Sequence, residues 1–298
     1  MVWKLNFFYN KPGSGEGEFE YARGLSVSPH TGNVIIGDIN NKRIQILDDQ
    51  YNYVTGWKIK VNESLLCPHA LHRVNNEILA ATIEGYTTLW HCPDVKDLSD
   101  YKPELRLAFG NDYFVFPRAI STTRKGHLVV SDVGKHRISL HDLNGTLIRD
   151  LGKLGTDDAT EFNWPYYVNC DATGRIMVSD SHNRCVKLFD EDLRFLGSFG
   201  KDVFTCCTGV NYLDQHGGRY FVGDYDSQSF IELNKEGKVV DDIARDLKYP
   251  LSQVEFDQQG RIVTTCFPGF YVYSEEQLRP NNKSNMLSQS HHVYNANN

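Results

Sequence analysis

A short motif recurs along this chain, and its spacing limits the possible folds more than any other feature. In each of the three clearest copies, an aspartate follows six residues after a glycine, and a second aspartate follows ten residues later. A run of β-branched and apolar residues joins the glycine to the first aspartate. Internal repeats define a whole architecture, so they are interpreted before single elements. The three copies are 32–48, 126–142 and 174–190.

The repeat has a period of about 45 residues, which lies in the range of known repeat proteins. The first aspartates of the copies, here called the marker aspartates, are Asp38, Asp132, Asp180 and Asp224. Their spacings are 94, 48 and 44 residues, so the first interval holds one further copy. That copy carries Thr82 at the marker position, and a sixth copy carries Cys266 there. Six copies therefore account for residues 1–275.

Each copy contains four short apolar or alternating runs separated by Gly, Asn and Asp turns, which predicts four β-strands. Four-stranded units that repeat at this period are typical of a β-propeller. We therefore predict an all-β fold, a six-bladed β-propeller with four-stranded antiparallel blades. The sixth copy has no fourth strand, and the apolar segment 3–9 offers one. We expect this N-terminal strand to complete the last blade and close the ring.

Composition limits the partners and the cellular compartment that we expect for the chain. Its 298 residues carry a net charge of −7, which argues against a protein that coats DNA through bulk positive charge. It has neither an apolar run long enough for a membrane span nor a signal peptide, so we expect no membrane contact. Seven cysteines, an odd number, favour free thiols in a reducing, cytoplasmic environment. The polar, Asn-rich segment 276–298 is expected to be disordered.

The repeats resemble those of the NHL family of six-bladed propellers. The best copy is 38–47, with Asp, Asn and Arg at the family's spacing, and 12–19 is similar to the family's lead-in. Segments 179–189 and 256–267 look most like the NHL domains of TRIM-NHL proteins. The chain departs from the pattern in several copies, and a polar or sulfur-containing side chain then replaces the Asp or Arg. These departures are Thr82, Thr87, Cys185, Ser229 and Cys266.

The loops after the marker aspartates and the turns that lead into each blade carry Lys, Arg, His and Tyr side chains. Because all blades have the same orientation, these segments should leave the ring at one end. Acidic pairs such as 48–49, 157–158, 190–192 and 241–242 should lie mostly at the other end. Lys and Arg neutralise phosphates, and aromatic or Arg planes stack on unpaired bases. The expected RNA-binding residues are Arg23, Lys42, His69, Arg118, Lys135, His136, Tyr166, His182, Asn183 and Arg184.

The likeness to TRIM-NHL proteins implies a binding module for single-stranded RNA that acts in post-transcriptional mRNA repression. The alternative is a protein-interaction domain that recruits substrates to a TRIM-type ubiquitin ligase, whose RING would lie outside this chain. The marker aspartates are expected to bind loop amides rather than to act in catalysis. No metal-ligand, nucleophile-elbow or phosphate-loop motif is present. We therefore expect no enzyme, no catalytic residue, no metal and no cofactor.

Overall fold

The strands of this protein form six four-stranded antiparallel sheets, which confirms the predicted six-bladed β-propeller. The computed structural model describes residues 2–96, 98, 101–214 and 217–276. The expected Asn-rich tail lies outside the described residues from position 277 onward. Within the described ranges, no helix has the length and apolar character needed to cross a membrane.

The first three blades follow one another along the chain, and a small hairpin joins the first to the second. The strands of blade one are β2 (Ala22–Val27), β3 (Val34–Asp38), β4 (Arg43–Leu47) and β5 (Tyr53–Lys58). The hairpin consists of β6 (Lys60–Val61) and β7 (Ser64–Leu65). The strands of blade two are β8 (Ala70–Arg73), β9 (Ile78–Ile83), β10 (Tyr86–His91) and β11 (Glu104–Phe109). The strands of blade three are β12 (Pro117–Thr122), β13 (Leu128–Asp132), β14 (Arg137–His141) and β15 (Leu147–Leu151).

The last three blades repeat this arrangement, and the N-terminal strand joins the sixth. The strands of blade four are β16 (Pro165–Cys170), β17 (Ile176–Asp180), β18 (Cys185–Phe189) and β19 (Phe195–Phe199). The strands of blade five are β20 (Cys207–Leu213), β21 (Arg219–Asp224), β22 (Ser229–Asn234) and β23 (Val239–Ala244). The strands of blade six are β24 (Leu251–Phe256), β25 (Ile262–Cys266), β26 (Phe270–Glu276) and β1 (Val2–Tyr9). Short 3₁₀ turns follow β13 and β17.

The first strand of each blade lies at the axis of the ring. Strands β2, β8, β12, β16, β20 and β24 contact one another in that order, and β24 contacts β2 again. The second strands are buried along their whole length, whereas outer strands such as β15 are largely exposed. One apolar core runs between neighbouring blades, and it includes Ala80, Val130, Val178 and Val222 from four successive blades. Burial between blades therefore stabilises the ring as a unit.

The ring is closed by the N-terminal strand, as the sequence predicted. Strand β1 pairs with β26 from Val2, opposite Glu276, to Tyr9, opposite Phe270. The rings of Tyr9 and Phe270 are stacked with centroids 4.6 Å apart. The last blade is thus built from both ends of the described chain.

The marker aspartates join two loops at the same end of each blade. Buried Asp132 accepts hydrogen bonds from the backbone amides of Val115 (3.0 Å) and Phe116 (2.8 Å), which lie just before the first strand. The other three marker aspartates accept corresponding bonds in their own blades. This confirms their predicted structural role, and it fixes the turn before the first strand beside the loop after the second.

Candidate functional site

One end of the ring, here called the top face, carries the turns before the first strands and the loops between second and third strands. It holds all ten residues that the sequence singled out. Four of them converge on the axis, whereas six lie on the surrounding loops. We call Arg23, His69, Arg118 and Tyr166 the axial cluster. The rim residues are Lys42, Lys135, His136, His182, Asn183 and Arg184.

The axial cluster is held together by polar contacts between different blades. Arg23 of blade one donates to the hydroxyl of Tyr166, which belongs to the opposite blade. The Arg118 guanidinium lies 3.0 Å from Nδ1 of His69 and donates over 3.4 Å to the same Tyr166 hydroxyl. Side chains from four of the six blades therefore meet across the mouth of the central channel.

Both guanidinium groups of the cluster also lie against aromatic rings. The Cζ atoms of Arg23 and Arg118 are 4.9 Å and 5.0 Å from the centroid of Tyr166. Arg118 is in addition 4.7 Å from the ring centroid of Phe116. At these distances the negative faces of the rings attract the cations. The arginines are thereby positioned without a carboxylate.

The strand geometry accounts for the placement of three cluster residues, Arg23, Arg118 and Tyr166, near the axis. In five blades the pairing of the first strand with the second shifts register near its beginning, as in a β-bulge. A bulge adds one residue and redirects its side chain. The residues at these shifts are Arg23, Arg118, Tyr166, Thr208 and Ser252.

The cluster is rich in positive charge and contains a neutral histidine. Burial and then the charges of Arg118 and Arg23 lower the pKa of His69 to about 2. Burial and then the charge of Arg23 lower the pKa of Arg118 to about 10. Since His69 is uncharged at neutral pH, its Nδ1 accepts from Arg118 and its Nε2 carries the proton. Among the described residues, neither arginine of the cluster forms an ion pair with an acid.

The cluster nearly closes the channel. It lines a cavity of about 10 Å³, close to the space needed by one water molecule. Other cavity walls come from Ala70, Tyr167, Ser252 and Gln253. A ligand larger than a few atoms would therefore lie on the axial cluster rather than pass through it. Among the side chains that the structure describes, no three His, Cys, Asp or Glu groups are arranged to share a metal ion.

Below the cluster, the channel contains the carboxyl group of Glu255. It accepts hydrogen bonds from Asn211 Nδ2 (3.2 Å) and Gln253 Nε2 (3.3 Å). Burial raises the pKa of Glu255 to about 7, and these two hydrogen bonds partly oppose the shift. The Gln253 side chain also donates to the carbonyl of Leu71 (3.2 Å) and accepts from the amide of Leu25 (2.9 Å), so it bridges three blades.

The rim residues differ in how available their side chains are. Lys42, His182 and Arg184 are exposed, whereas Lys135 donates to a backbone carbonyl and His136 Nδ1 accepts from the amide of Trp164 (3.2 Å).

Asn183 is used inside its own loop. Its Nδ2 donates to Asp180 (2.8 Å) and to the carbonyl of Gly155 (2.9 Å). The sequence grouped it with the ligand-binding residues, but its amide stabilises the loop that carries its neighbours.

Exposed aromatic side chains surround the cluster, and the sequence reasoning missed them. Trp164 stacks on His182 with ring centroids 4.7 Å apart and an interplanar angle of 14°. Phe116 and Trp164 directly precede the prolines that begin β12 and β16, and this position is visible in the sequence. The four side chains are 37–44 % exposed. They are Phe116, Trp164, Tyr225 and Phe267.

The predicted separation of charge between the two ends is incomplete. Segments 48–49 and 190–192 lie in turns at the end opposite the top face, as expected, but 241–242 lies within β23. Segment 157–158 lies on the top face, between β15 and β16. There Asp158 pairs with Lys201 at 3.0 Å. In the part of the chain that the structure describes, the axial arginines are therefore distinguished by their lack of an acidic partner rather than by the sign of the whole face.

Comparison with curated sequences gives partial likenesses, and no family model matches the chain. The chain is 26 % identical over 154 residues to Protein brain tumor of Drosophila melanogaster. The match covers 51 % of this chain and 14 % of that protein. The chain therefore spans a small part of the length of the curated relative that it matches.

Comparison with solved structures gives matches along nearly the whole chain. A streptogramin B lyase has a TM-score of 0.61 at 8 % identity and covers 91 % of this chain and 97 % of its own. Virginiamycin B lyase from Staphylococcus aureus has a TM-score of 0.62 at 10 % identity, with coverages of 93 % and 90 %. A catalytically inactive variant of that lyase with quinupristin gives 0.63 at 10 % identity, with coverages of 92 % and 100 %. These similarities show a shared fold.

The expectation that this chain is not an enzyme is contradicted by these neighbours. They are lyases, so the architecture that the chain shares with them is one that enzymes use. Missing sequence motifs do not exclude an enzyme of this fold, because the loops on a rigid scaffold determine its chemistry. At 8–10 % identity, the likeness transfers neither a lyase activity nor its residues to this chain.

Proposed function

We propose that this chain is an NHL-type RNA-binding propeller that holds single-stranded RNA on its top face. The observation that carries the proposal is the pair of axial guanidiniums, Arg23 and Arg118, which lack an acidic partner among the described residues and lie within a ring of exposed aromatics. The partial identity to Protein brain tumor and the NHL-like repeats support the same class.

The chemistry of the face suits a strand whose bases are unpaired. Phosphates are neutralised by Lys and Arg, while splayed bases stack on aromatic rings and guanidinium planes. Each such stack contributes about 1–3 kcal/mol. Trp164 with His182 and Phe116 with Arg118 provide two preformed platforms of this kind.

We assign the ten residues to different tasks. Arg23, Arg118 and Tyr166 contact the strand at the axis, and Lys42 and Arg184 contact phosphates at the rim. His182, stacked on Trp164, offers a platform for a base. His69, Lys135, His136 and Asn183 hold these groups in place through the contacts described above. Bound to messenger RNA in the cytoplasm, such a module would act in post-transcriptional repression.

A second candidate is a protein-interaction domain that recruits substrates to a TRIM-type ubiquitin ligase. It is favoured by apolar side chains that are exposed on the same face, among them Val115, which precedes Phe116, and Leu154, which lies in the same loop as Trp164. Contiguous exposed apolar groups mark protein-binding sites as well as stacking platforms.

An oligonucleotide selection against the purified chain tests the proposal. We expect an enriched single-stranded RNA whose affinity falls with salt. Because each phosphate contact contributes about 0.7 to the logarithmic salt slope for single strands, Arg184→Ala should weaken binding and lower the slope by about that amount. Arg118→Ala should weaken binding further, through lost stacking.

Arg124→Ala is the matched control, since Arg124 is exposed in the turn between β12 and β13 at the opposite end. It should bind like the wild type in the same titration. The absence of any enriched RNA would refute the proposed function. Equal losses of RNA affinity in the Arg124 and Arg184 variants would refute the assignment of the binding site to the top face.

A further inference from the structure

The axial cluster contains two cations, Arg23 and Arg118, that have no acidic partner within the described ranges. Arg23 is buried, and its charge lowers the pKa of Arg118. Like charges held together in a poorly solvated place repel each other, and they are stabilised by an opposite charge between them. Among the described residues, the ion pairs of the top face do not include either arginine.

The cluster also has more donors than acceptors. His69 Nε2 and Arg118 Nε are buried and have no hydrogen-bond partner among the residues that the structure describes. Buried donors without partners are rare and destabilising, so each one calls for an explanation. Arg23 and Arg118 both line the cavity, and an added group with several acceptor oxygens would accept hydrogen bonds from their guanidiniums.

Nearby acceptors are already engaged. The Gln253 side-chain oxygen accepts from the amide of Leu25, and the Glu255 carboxyl is held by Asn211 and Gln253. In the described part of the chain, neither is hydrogen-bonded to an arginine of the cluster. An added anion would supply the acceptor that these guanidiniums lack among the described residues.

We propose that the axial cluster is a phosphate-binding site, in which Arg23 and Arg118 hold one phosphate group at the mouth of the channel. The cavity of about 10 Å³ has room for a single oxygen, so the rest of the phosphate stands above it on the top face. Guanidiniums match phosphate oxygens in geometry and charge. The assignment of this phosphate to an RNA strand rests on the proposed function, whereas the anion site itself does not.

Thermal unfolding and calorimetric titration with inorganic phosphate test the site, with sodium chloride used to keep the ionic strength constant. Phosphate should raise the Tm of the wild type above its value in chloride. Arg23→Gln and Arg118→Gln should each weaken phosphate binding about 10- to 100-fold, the usual effect of losing a charged hydrogen bond. Arg124→Gln, at the opposite end, should bind phosphate like the wild type. If an axial Gln variant does not fold, Arg118→Lys keeps the charge and should show an intermediate loss.

The outcomes separate the two proposals. If phosphate has no effect on the Tm of the wild type, the phosphate site is overturned even if RNA binds. If acetate binds as tightly as phosphate, the phosphate site is also overturned, in favour of a site for a peptide carboxylate. Phosphate binding that depends on both arginines supports the site even if no RNA is selected, in which case the proposed function fails alone. If phosphate competes with a selected RNA, and this competition is lost in Arg118→Gln, the assignment of the phosphate to RNA is supported. If phosphate and the RNA bind independently of each other, that assignment is overturned.

Discussion

Single residues show how the repeat tolerates departures from its own pattern. In blade one, Arg43 pairs with the marker Asp38 at 3.0 Å. Blade four has Cys185 at the equivalent position, and its marker Asp180 pairs instead with Lys187 at 2.8 Å. Lys187 lies two residues further along the same strand and therefore on the same face. The sequence revealed the substitution, but the compensating charge became visible only with the strand register.

This buried pair gives a prediction about stability. Lys187 and Asp180 are fully buried, and Lys187 Nζ also donates to the carbonyls of Asp157 (3.0 Å) and Glu161 (2.6 Å). Lys187→Met leaves a buried carboxylate without its partner, so it should lower the free energy of unfolding by about 3–5 kcal/mol. Urea unfolding measures the change.

Lys201→Met is the matched control, because Lys201 pairs with Asp158 at the surface of the same region. Its loss should change the free energy of unfolding by less than about 1 kcal/mol. Similar effects of the two substitutions would contradict the importance of burial.

At the scale of elements, the sequence predicted which loops share an end but not which side chains meet. The period assigns 39–42 and 181–184 to one end, because all blades have the same orientation. The meeting of Arg23 with Tyr166 depends on the bulges and on the width of the ring, which no local pattern contains. The internal use of Asn183 is likewise set by the fold of its loop.

The N-terminal strand makes a prediction at this scale. Trp3 on β1 is buried against Phe221 of blade five, with ring centroids 5.3 Å apart, and its Nε1 donates to Glu232 at 3.1 Å. Trp3→Ala removes an anchor that joins the closing blade to its neighbour. It should lower the free energy of unfolding by about 3–5 kcal/mol, the usual result of truncating a buried aromatic.

Leu5→Ala on the same strand is the control, since the Leu5 side chain is largely exposed. It should change the free energy of unfolding by no more than about 0.5 kcal/mol. An equally small effect of Trp3→Ala in denaturant unfolding would show that closure of the ring does not depend on this contact.

At the scale of the whole molecule, the fold leaves function open. The same propeller architecture occurs in lyases, while the partial sequence likeness is to Protein brain tumor. What distinguishes this chain is therefore the set of side chains on its faces and in its channel. The net charge of −7 is a weak guide to function. Acids on the top face, such as Asp158, are paired locally, whereas the axial arginines have no acidic partner among the described residues.

The central channel exists only in the closed ring, and its carboxyl group connects ring closure to pH. Burial raises the pKa of Glu255 to about 7, whereas an unfolded glutamate has a pKa of about 4.3. The folded state therefore binds this proton more tightly, so the stability it contributes is complete below about pH 4 and is lost as the pH rises through 7. Glu255→Gln removes that loss. Relative to the wild type, its free energy of unfolding should rise by roughly 2–3 kcal/mol between pH 5 and pH 8.

Urea unfolding at a series of pH values tests this, with Glu236→Gln in an exposed turn as the control. The control should follow the pH profile of the wild type, because its side chain lies in water in both states. Parallel profiles for Glu255→Gln and the wild type would mean that the channel is open enough to hydrate the carboxylate. A difference that grows with pH would instead show that the six first strands enclose a poorly solvated axis. The arrangement of the axial cluster, which lies above Glu255, depends on the same axis.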